Sequence, residues 1–213
     1  MYDKFHGDAN MDQWIASNFQ KNGELIKGGV MIDIGAYHPT YLNNSYYFER
    51  NDWKVLCIEP NPYMIQELKK ERKNVIQLAC SNVNEDDCDF SVVKGPWDEK
   101  GMAGATGFHV WEEPRLSNET HKLASNIEKI KVAKRTLNHI LEEQKISHID
   151  AVSIDVESHE RQILEGFDLE KYSPKVLVIE NYHEEQWMRD YMKERGYEFK
   201  NRMHVDDCYV LLK

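Results

Sequence analysis

Three places in this sequence bring ionisable side chains together at spacings that could do chemistry. The first is a split pair. Asp33-Ile34-Gly35-Ala36-Tyr37 follows the apolar run Val30-Met31-Ile32, and Glu59-Pro60 follows the run Val55-Leu56-Cys57-Ile58. Each run is too short for a helix and has the β-branched content of a buried strand. Both acids therefore sit where a strand stops, and in a parallel α/β sheet that edge is where ligands bind. Gly35 lets the chain turn tightly and a ligand come close. Ala36, Tyr37 and His38 follow that one glycine, so the G-x-G-x-x-G fingerprint is absent, which counts against a pyrophosphate cradle and against a nicotinamide oxidoreductase. What remains is a nucleoside site: Glu59 accepts from ribose hydroxyls, and the Asp33 carboxylate suits a ligand with an amino group and no phosphate. The second place is Asp155-Val156-Glu157-Ser158-His159-Glu160, at the end of the run Ile149–Ile154. His159 has the natural pKa of a general base, and Glu157 or Asp155 could orient it or take the proton instead. The bland account is that Glu157 and Glu160 merely favour a helix N-terminus. His38, on the turn after the first strand, is a second base candidate, although a histidine before proline is ordinarily a turn residue. The third place is Glu180-Asn181-Tyr182-His183, after the run 175–179. No nucleophile elbow is present.

The elements that must position these residues alternate between strand and helix. An amphipathic helix is expected from Asn10, with Met11, Trp14, Ile15 and Phe19 on one face, stopping near Asn22-Gly23. Strand 30–34, a helix from about 41 that ends near Asn51-Asp52, strand 53–58 and a helix over 61–71 with proline in its first turn follow. The third strand is expected at 75–79 and is followed by Ser81-Asn82; a further strand is expected at 88–93 and an exposed or edge strand at 127–133. Thr136 caps a helix, LNHILEEQ. Strand 149–155, helix 159–167, strand 175–180 and an amphipathic helix 183–195 capped by Gly196 lead to an antiparallel hairpin, 197–202 with 207–212. This order predicts an α/β protein with a doubly wound, mostly parallel sheet that ends in one reversed strand. With no repeat or linker, residues 1–213 read as a single domain, in which 1–29 are a helical lead-in and 94–126 a variable loop on the substrate side. That loop is rich in glycine and carries Trp97 and Trp111, whose faces suit sugar rings.

The net charge of -10 argues against a nucleic-acid partner or an anionic membrane surface, both of which need a basic excess. No apolar stretch approaches a membrane span and the N-terminus has no signal-peptide core. Cys57, Cys80, Cys88 and Cys208 show no C-x-x-C spacing, so they are expected buried and reduced, which points to the cytoplasm or an equivalent reducing compartment.

DIGAYHPTYLNNSYYF, the strand DWKVLCIEPNP, TLNHIL, SIDVESHERQILEGFD and KYSPKVLVIEN, in that order, resemble the FkbM-type S-adenosylmethionine-dependent methyltransferases over roughly residues 12 to 212. The resemblance implies a class I methyltransferase sheet and methyl transfer to a hydroxyl of a sugar, glycan or polyketide-type acceptor, a small-molecule or glycan partner. It places Asp33 and Gly35, with the neighbouring Ala36 and Tyr37, beside the methionine part of the cofactor. Glu59, with Pro60, holds the ribose; Ser81 and Asn82 border the adenine; and Asn44 and Ser45, in the Asn43-Asn44-Ser45 motif, lie near the cofactor carboxylate. Asp155 belongs to both halves of the crevice. Some class I hydroxyl methyltransferases hold a divalent metal at matching strand ends, so Asp155, Glu180 and Asn181 are metal candidates for an ion such as magnesium. One departure is Ser158, where the family usually has glycine after Asp-Val-Glu. A side chain there either crowds the site or caps the helix. It is also the one feature favouring the rival reading, a non-catalytic S-adenosylmethionine-binding protein of the same fold.

Overall fold

A computed structural model describes residues 5–94, 107 and 126–212. The expected loop 94–126, with Trp97 and Trp111, lies outside the described residues except for its ends and Gly107. Helix α1 (Met11–Ser17) and a small hairpin, β1 (Gln20–Lys21) and β2 (Glu24–Leu25), lead into β3 (Val30–Ile34). Then come α2 (Tyr46–Arg50), β4 (Lys54–Ile58), α3 (Pro62–Glu71), β5 (Val75–Ile76), β6 (Ala79–Ser81), β7 (Glu85–Lys94) and β8 (Asn126–Thr136). After α4 (Leu137–Glu143) come β9 (Ala151–Ile154), α5 (Glu160–Glu165), α6 (Leu169–Tyr172), β10 (Val176–Glu180), α7 (Gln186–Glu194), β11 (Tyr197–Met203) and β12 (Asp206–Leu211).

The main sheet has seven strands in the order β11-β12-β10-β9-β3-β4-β5. β5, β4, β3, β9 and β10 run parallel, and β12 is antiparallel to both β10 and β11. The expected mostly parallel sheet with a C-terminal hairpin is present. Its reversed strand stands one place in from the edge, because β11 flanks it. The central strands are covered on both faces, which is why they read as apolar runs rather than alternating ones. Ile32 and Ile34 face one core with Leu56, Ile58, Val152 and Ile154, while Met31, Val55, Cys57 and Ala151 face the other. Each of the larger of these side chains, the isoleucines, leucine, valines and methionine, contributes roughly 1.5–3 kcal/mol when fully buried, so these two cores hold the strand ends in register. All four cysteines are buried and free. Among the described residues no helix is long and apolar enough to cross a membrane.

Four local expectations are corrected. Helix α1 ends at Ser17, because Asn22 and Gly23, both left-handed, form the turn of the β1–β2 hairpin instead. The helix expected from about 41 starts only at Tyr46 and ends at Arg50, since Leu42 is left-handed and Asn43 turns the chain by accepting from the Ser45 and Tyr46 N–H groups. The third strand is split: Val75–Ile76 extends the main sheet, and Ala79–Ser81 leaves it for a separate three-stranded sheet, β6-β8-β7. The 127–133 segment is no edge strand but the middle of that sheet, paired with β6 on one side and β7 on the other. Its alternation reflects one face on a small core, with Val132 and Ile130 toward Phe90 and Val92, and one face of lysines toward solvent.

Candidate active site

The carboxyl ends of β3, β4 and β9 open on one cleft of about 870 Å³, counting the part open to solvent. Gly35, Tyr37, Glu59, Pro60, Asp155, Glu157 and His159 line it, together with Ile34, Ile58, Leu78, Cys80 and Phe90. Gly35 is left-handed, with φ +82°, and a Cβ there would meet the Asp155 carbonyl oxygen at 1.7 Å, so a side chain is excluded by backbone on both counts. The turn is sealed by Gly35 N–H donating to the Ile58 carbonyl at 2.9 Å.

Glu59 is buried at the next strand end. Its Oε2 accepts from Tyr37 N–H and its Oε1 from Asn61 N–H, each at 2.9 Å. Burial pushes its carboxyl up to about 7, against the pull of those two N–H groups; Asp33 adds to the push. Asn61 in turn caps α3 by accepting from Tyr63 N–H, with Pro62 in the first turn. Glu59 is thus anchored by the two segments that wall the cleft.

Asp33 points the other way, as strand alternation requires of a neighbour of Ile34. Its Oδ2 accepts from Ser45 Oγ at 2.5 Å and Asn43 Nδ2 at 3.2 Å. Arg72, fully buried, pairs with Glu49 at 2.8 Å and donates to Asn43 Oδ1, Ser45 Oγ and the Pro39 carbonyl. Burial holds Asp33 above the ordinary carboxylate value, while Ser45, Arg72 and Asn43 pull it back. This network folds the loop 36–45 against the sheet and so presents Tyr37 and Leu42 to the cleft. Ala36 is buried beneath that loop, and its carbonyl accepts from Asn43 Nδ2. Asn44 Nδ2 donates to Ser153 Oγ at 3.1 Å, beside β9. Asp33, Asn44 and Ser45 act on the cleft through the loop and do not line it. Nothing in the sequence distinguished Arg72 or Glu49 from surface charges on helices.

At the end of β9, Glu157 and Ser158 are both left-handed, φ 58° and 71°. Two such residues in a row cost about 1–2 kcal/mol each when they are not glycine. This explains why glycine suits position 158, and the chain makes the turn with serine. Helix α5 has His159 at its N-cap position, where the His159 side chain makes no capping hydrogen bond, and Ser158 stands one place before the cap. His159 is buried, and its Nε2 lies 3.0 Å from Ser81 Oγ. Ser81 is brought there because Gly166, at the end of α5, approaches its carbonyl so closely that a Cβ would stand 2.2 Å away. Asn82 is turned outward and donates to Glu165 at 2.8 Å, so it does not line the cleft. His38 is held as a turn residue, its Nδ1 accepting from Thr40 and Tyr41 N–H at 3.2 and 2.9 Å.

Carboxylates crowd the far side. Oxygens of Asp155, Glu157 and Glu180 lie within 4.8 Å of one another. Asp155 is exposed by surface area, but it opens onto the cleft with protein packed closely around it. Loss of hydration, then Glu180, Glu157, Asp206 and Glu160, hold it well above the ordinary carboxylate value. Glu160 is held up in the same way, by burial and then Glu180, although its Oε1 accepts from Val156 N–H. Burial, then Glu180 and Asp8, push Asp206 up to about 7. Asn181 is not part of the trio. Its amide donates to Asp207 at 2.8 Å and its Oδ1 accepts from Glu185 N–H, because Asp207 is the buried partner of Arg189. The expected ligand set Asp155, Glu180 and Asn181 is therefore not assembled. A trio of carboxylates does not by itself make a metal site, and transfer from a sulfonium does not require one. Leu78, Cys80 and Phe90, three cleft residues, escaped the sequence reading because the second sheet that carries or adjoins them gave no separate signal.

Residues 33–199 match the model of the methyltransferase FkbM domain. No curated protein matches the sequence. Among solved structures, precorrin-6Y C5,15-methyltransferase from Geobacter metallireducens is similar at 12% identity and a TM-score of 0.46, over 93% of this chain and 85% of that one.

Proposed function

Because the chain belongs to the FkbM methyltransferase family, and is thereby an S-adenosylmethionine-dependent methyltransferase, we propose that it methylates a hydroxyl of a sugar, glycan or similar small polar acceptor. The observation that carries the reading is the cleft wall: the left-handed Gly35 turn packs directly on the Asp155 backbone, and Glu59 is anchored beside it with lone pairs to spare. Those features fit the cofactor. When bound, it supplies a methyl group on a positively charged sulfur. Glu59 accepts the ribose hydroxyls, since each oxygen receives one backbone N–H and keeps further acceptor capacity. Leu78, Phe90 and Ile58 give the apolar wall on which a base is sandwiched. The Gly35 turn lets the methionine part lie close to the backbone.

The chain's remaining task is to align the acceptor oxygen with the methyl and remove its proton. His159, Glu157 and Asp155 line the cleft and are the groups in reach. Ser81 Oγ orients the His159 ring. Loss of hydration, then the neighbouring carboxylates, raise the affinity of the Asp155 carboxylate for a proton and so make it a stronger base. A cytoplasmic setting and the absence of a nucleic-acid partner remain part of this proposal, supported by the free cysteines and the acidic charge. Ser158 gives the binding-only reading little support, because the turn already holds the conformation that glycine favours.

The test is calorimetry with S-adenosylhomocysteine, followed by turnover on a panel of sugars and glycans. His159→Ala should leave cofactor affinity unchanged and lower turnover; if turnover is unaffected, the proton goes to Asp155 or Glu157. Absence of cofactor binding would sink the methyltransferase reading, and binding without turnover on any acceptor would favour the binding-only protein.

A further inference from the structure

A second cavity, about 890 Å³ including its open part, lies beside the first at the end of β10 and the start of α5. Glu180, Gln162, Arg161, Tyr182, Glu185 and Trp187 are among its walls. The two spaces meet at the carboxylate trio: Asp155 and Glu157 line the cleft, Glu180 lines the second cavity, and their oxygens are within 4.8 Å of one another. A molecule in the second cavity can therefore reach past Glu180 to the groups that would take its proton.

Resting on the methyltransferase reading, we propose that this second cavity is the acceptor subsite and that it takes an amine-bearing, hydroxyl-rich molecule of the amino-sugar class. Three observations argue for that chemistry. The walls carry Glu180 and Glu185 against one arginine, Arg161, whose guanidinium is stacked 4.2 Å from the centre of the Trp187 ring. An ammonium is favoured there and a carboxylate or phosphate is repelled. The lining is also polar: Gln162 Oε1 is buried with no hydrogen-bond partner among the described residues, so a hydroxyl or ammonium from a ligand would satisfy it. Finally, Tyr182, 40% exposed, offers a ring at the cavity wall on which the apolar face of a sugar can lie. The cofactor explains none of these, since its own cleft is the more apolar space on the other side of the trio.

The experiment uses the full chain saturated with S-adenosylhomocysteine, and ligand-observed NMR with three probes that differ in charge: glucosamine, glucose and glucuronate. Glucosamine should bind about ten-fold more tightly than glucuronate, with glucose between, as a charge-assisted contact requires. Glu180→Gln keeps the shape and removes the charge, and should abolish the preference while S-adenosylhomocysteine affinity, measured by calorimetry, stays unchanged. Gln162→Leu should weaken all three sugars together. Equal binding of the three, a preference for glucuronate, or no binding of any of them overturns the proposal. So does a Glu180→Gln variant that loses cofactor affinity, because the cavity would then belong to the cofactor cleft. Failure of the wild-type chain to bind S-adenosylhomocysteine is a separate result, and it strikes the methyltransferase reading itself.

Discussion

Glu59 gives the sharpest prediction, because its state in the free protein differs from the state that a ribose needs. Burial pushes its carboxyl from 4.5 up to about 7, so in the free chain it is largely protonated at pH 6 and largely ionised at pH 8. A ribose hydroxyl pair wants two acceptor oxygens, which only the carboxylate supplies. With a pKa of about 7, roughly one free molecule in eleven is competent at pH 6 and nine in ten at pH 8, so the apparent dissociation constant should be about ten-fold larger at pH 6. Binding at pH 6 should also release close to one proton. Calorimetry with S-adenosylhomocysteine, in buffers of different ionisation enthalpy, measures both. Glu59→Gln fixes the group in a neutral form and should give the weak affinity at every pH. An affinity that is flat from pH 6 to 8 refutes the reasoning, as does a slope that survives in Glu59→Gln, since that slope would belong to Asp155 or Asp206. The same raised value has a sign for stability. The folded chain keeps a proton that the unfolded chain loses above 4.5, so this contribution is fully present below 4.5 and is lost as pH rises through about 7. The cofactor-free protein should therefore melt lower at pH 8 than at pH 5.

Gly35→Ala places a Cβ on the Asp155 carbonyl and demands φ +82° of an alanine; it should cost at least about 3 kcal/mol in urea unfolding, with cofactor binding lost in whatever folds. Arg72→Met removes the cation buried between Glu49 and Asp33; a loss of about 3–5 kcal/mol is expected, and it should be smaller in Arg72→Met/Glu49→Leu because the buried charge left behind is removed. Ser158→Gly relieves a left-handed side chain and should raise stability by about 0.5–1 kcal/mol after the entropy cost of glycine, as the melting temperature would show.

The parallel sheet was legible because strands buried on both faces leave continuous apolar runs, and the acids were legible because they end those runs. Gly35 and Glu59 were found in that way, and the structure brings both to the cleft with Asp155, Glu157 and His159. What could not be read depended on direction rather than identity. Asp33 sits one residue before Ile34, and the period of two sends its carboxylate under the loop 36–45, where Asn43, Ser45 and Arg72 receive it. Asn181 follows Glu180 directly and is likewise turned away, toward Asp207. Arg72 left no signal because a cation at the end of a helix is common, and only the fold shows two acids from distant segments closing on it. The split after Ile76 escaped because Val75–Ile76 and Ala79–Ser81 lie almost end to end in the sequence, yet they pair with different sheets.

That division of the acids has an electrostatic consequence for the whole crevice. On the Asp33 side the negative charge is answered within the protein, by Arg72 lying against Glu49 and close to Asp33. On the other side burial, and then the charges of Glu180 and neighbouring carboxylates, raise the hold of Asp155, Glu160 and Asp206 on protons. Arg202 and His204 act on Asp206, but Asp155 and Glu160 gain no cation of comparable effect. Like charges at these separations persist only if protons or an incoming cation offset them. A sulfonium cofactor brings one positive charge, and that charge disappears from the sulfur as the methyl leaves. If the carboxylates stabilised the sulfonium alone, they would stabilise the ground state and slow transfer. They assist transfer when the acceptor's proton enters the same cluster as the sulfonium charge vanishes, which keeps the local charge constant along the reaction. We therefore propose the crowded side as the proton-accepting side of the crevice, with Glu59 serving the cofactor.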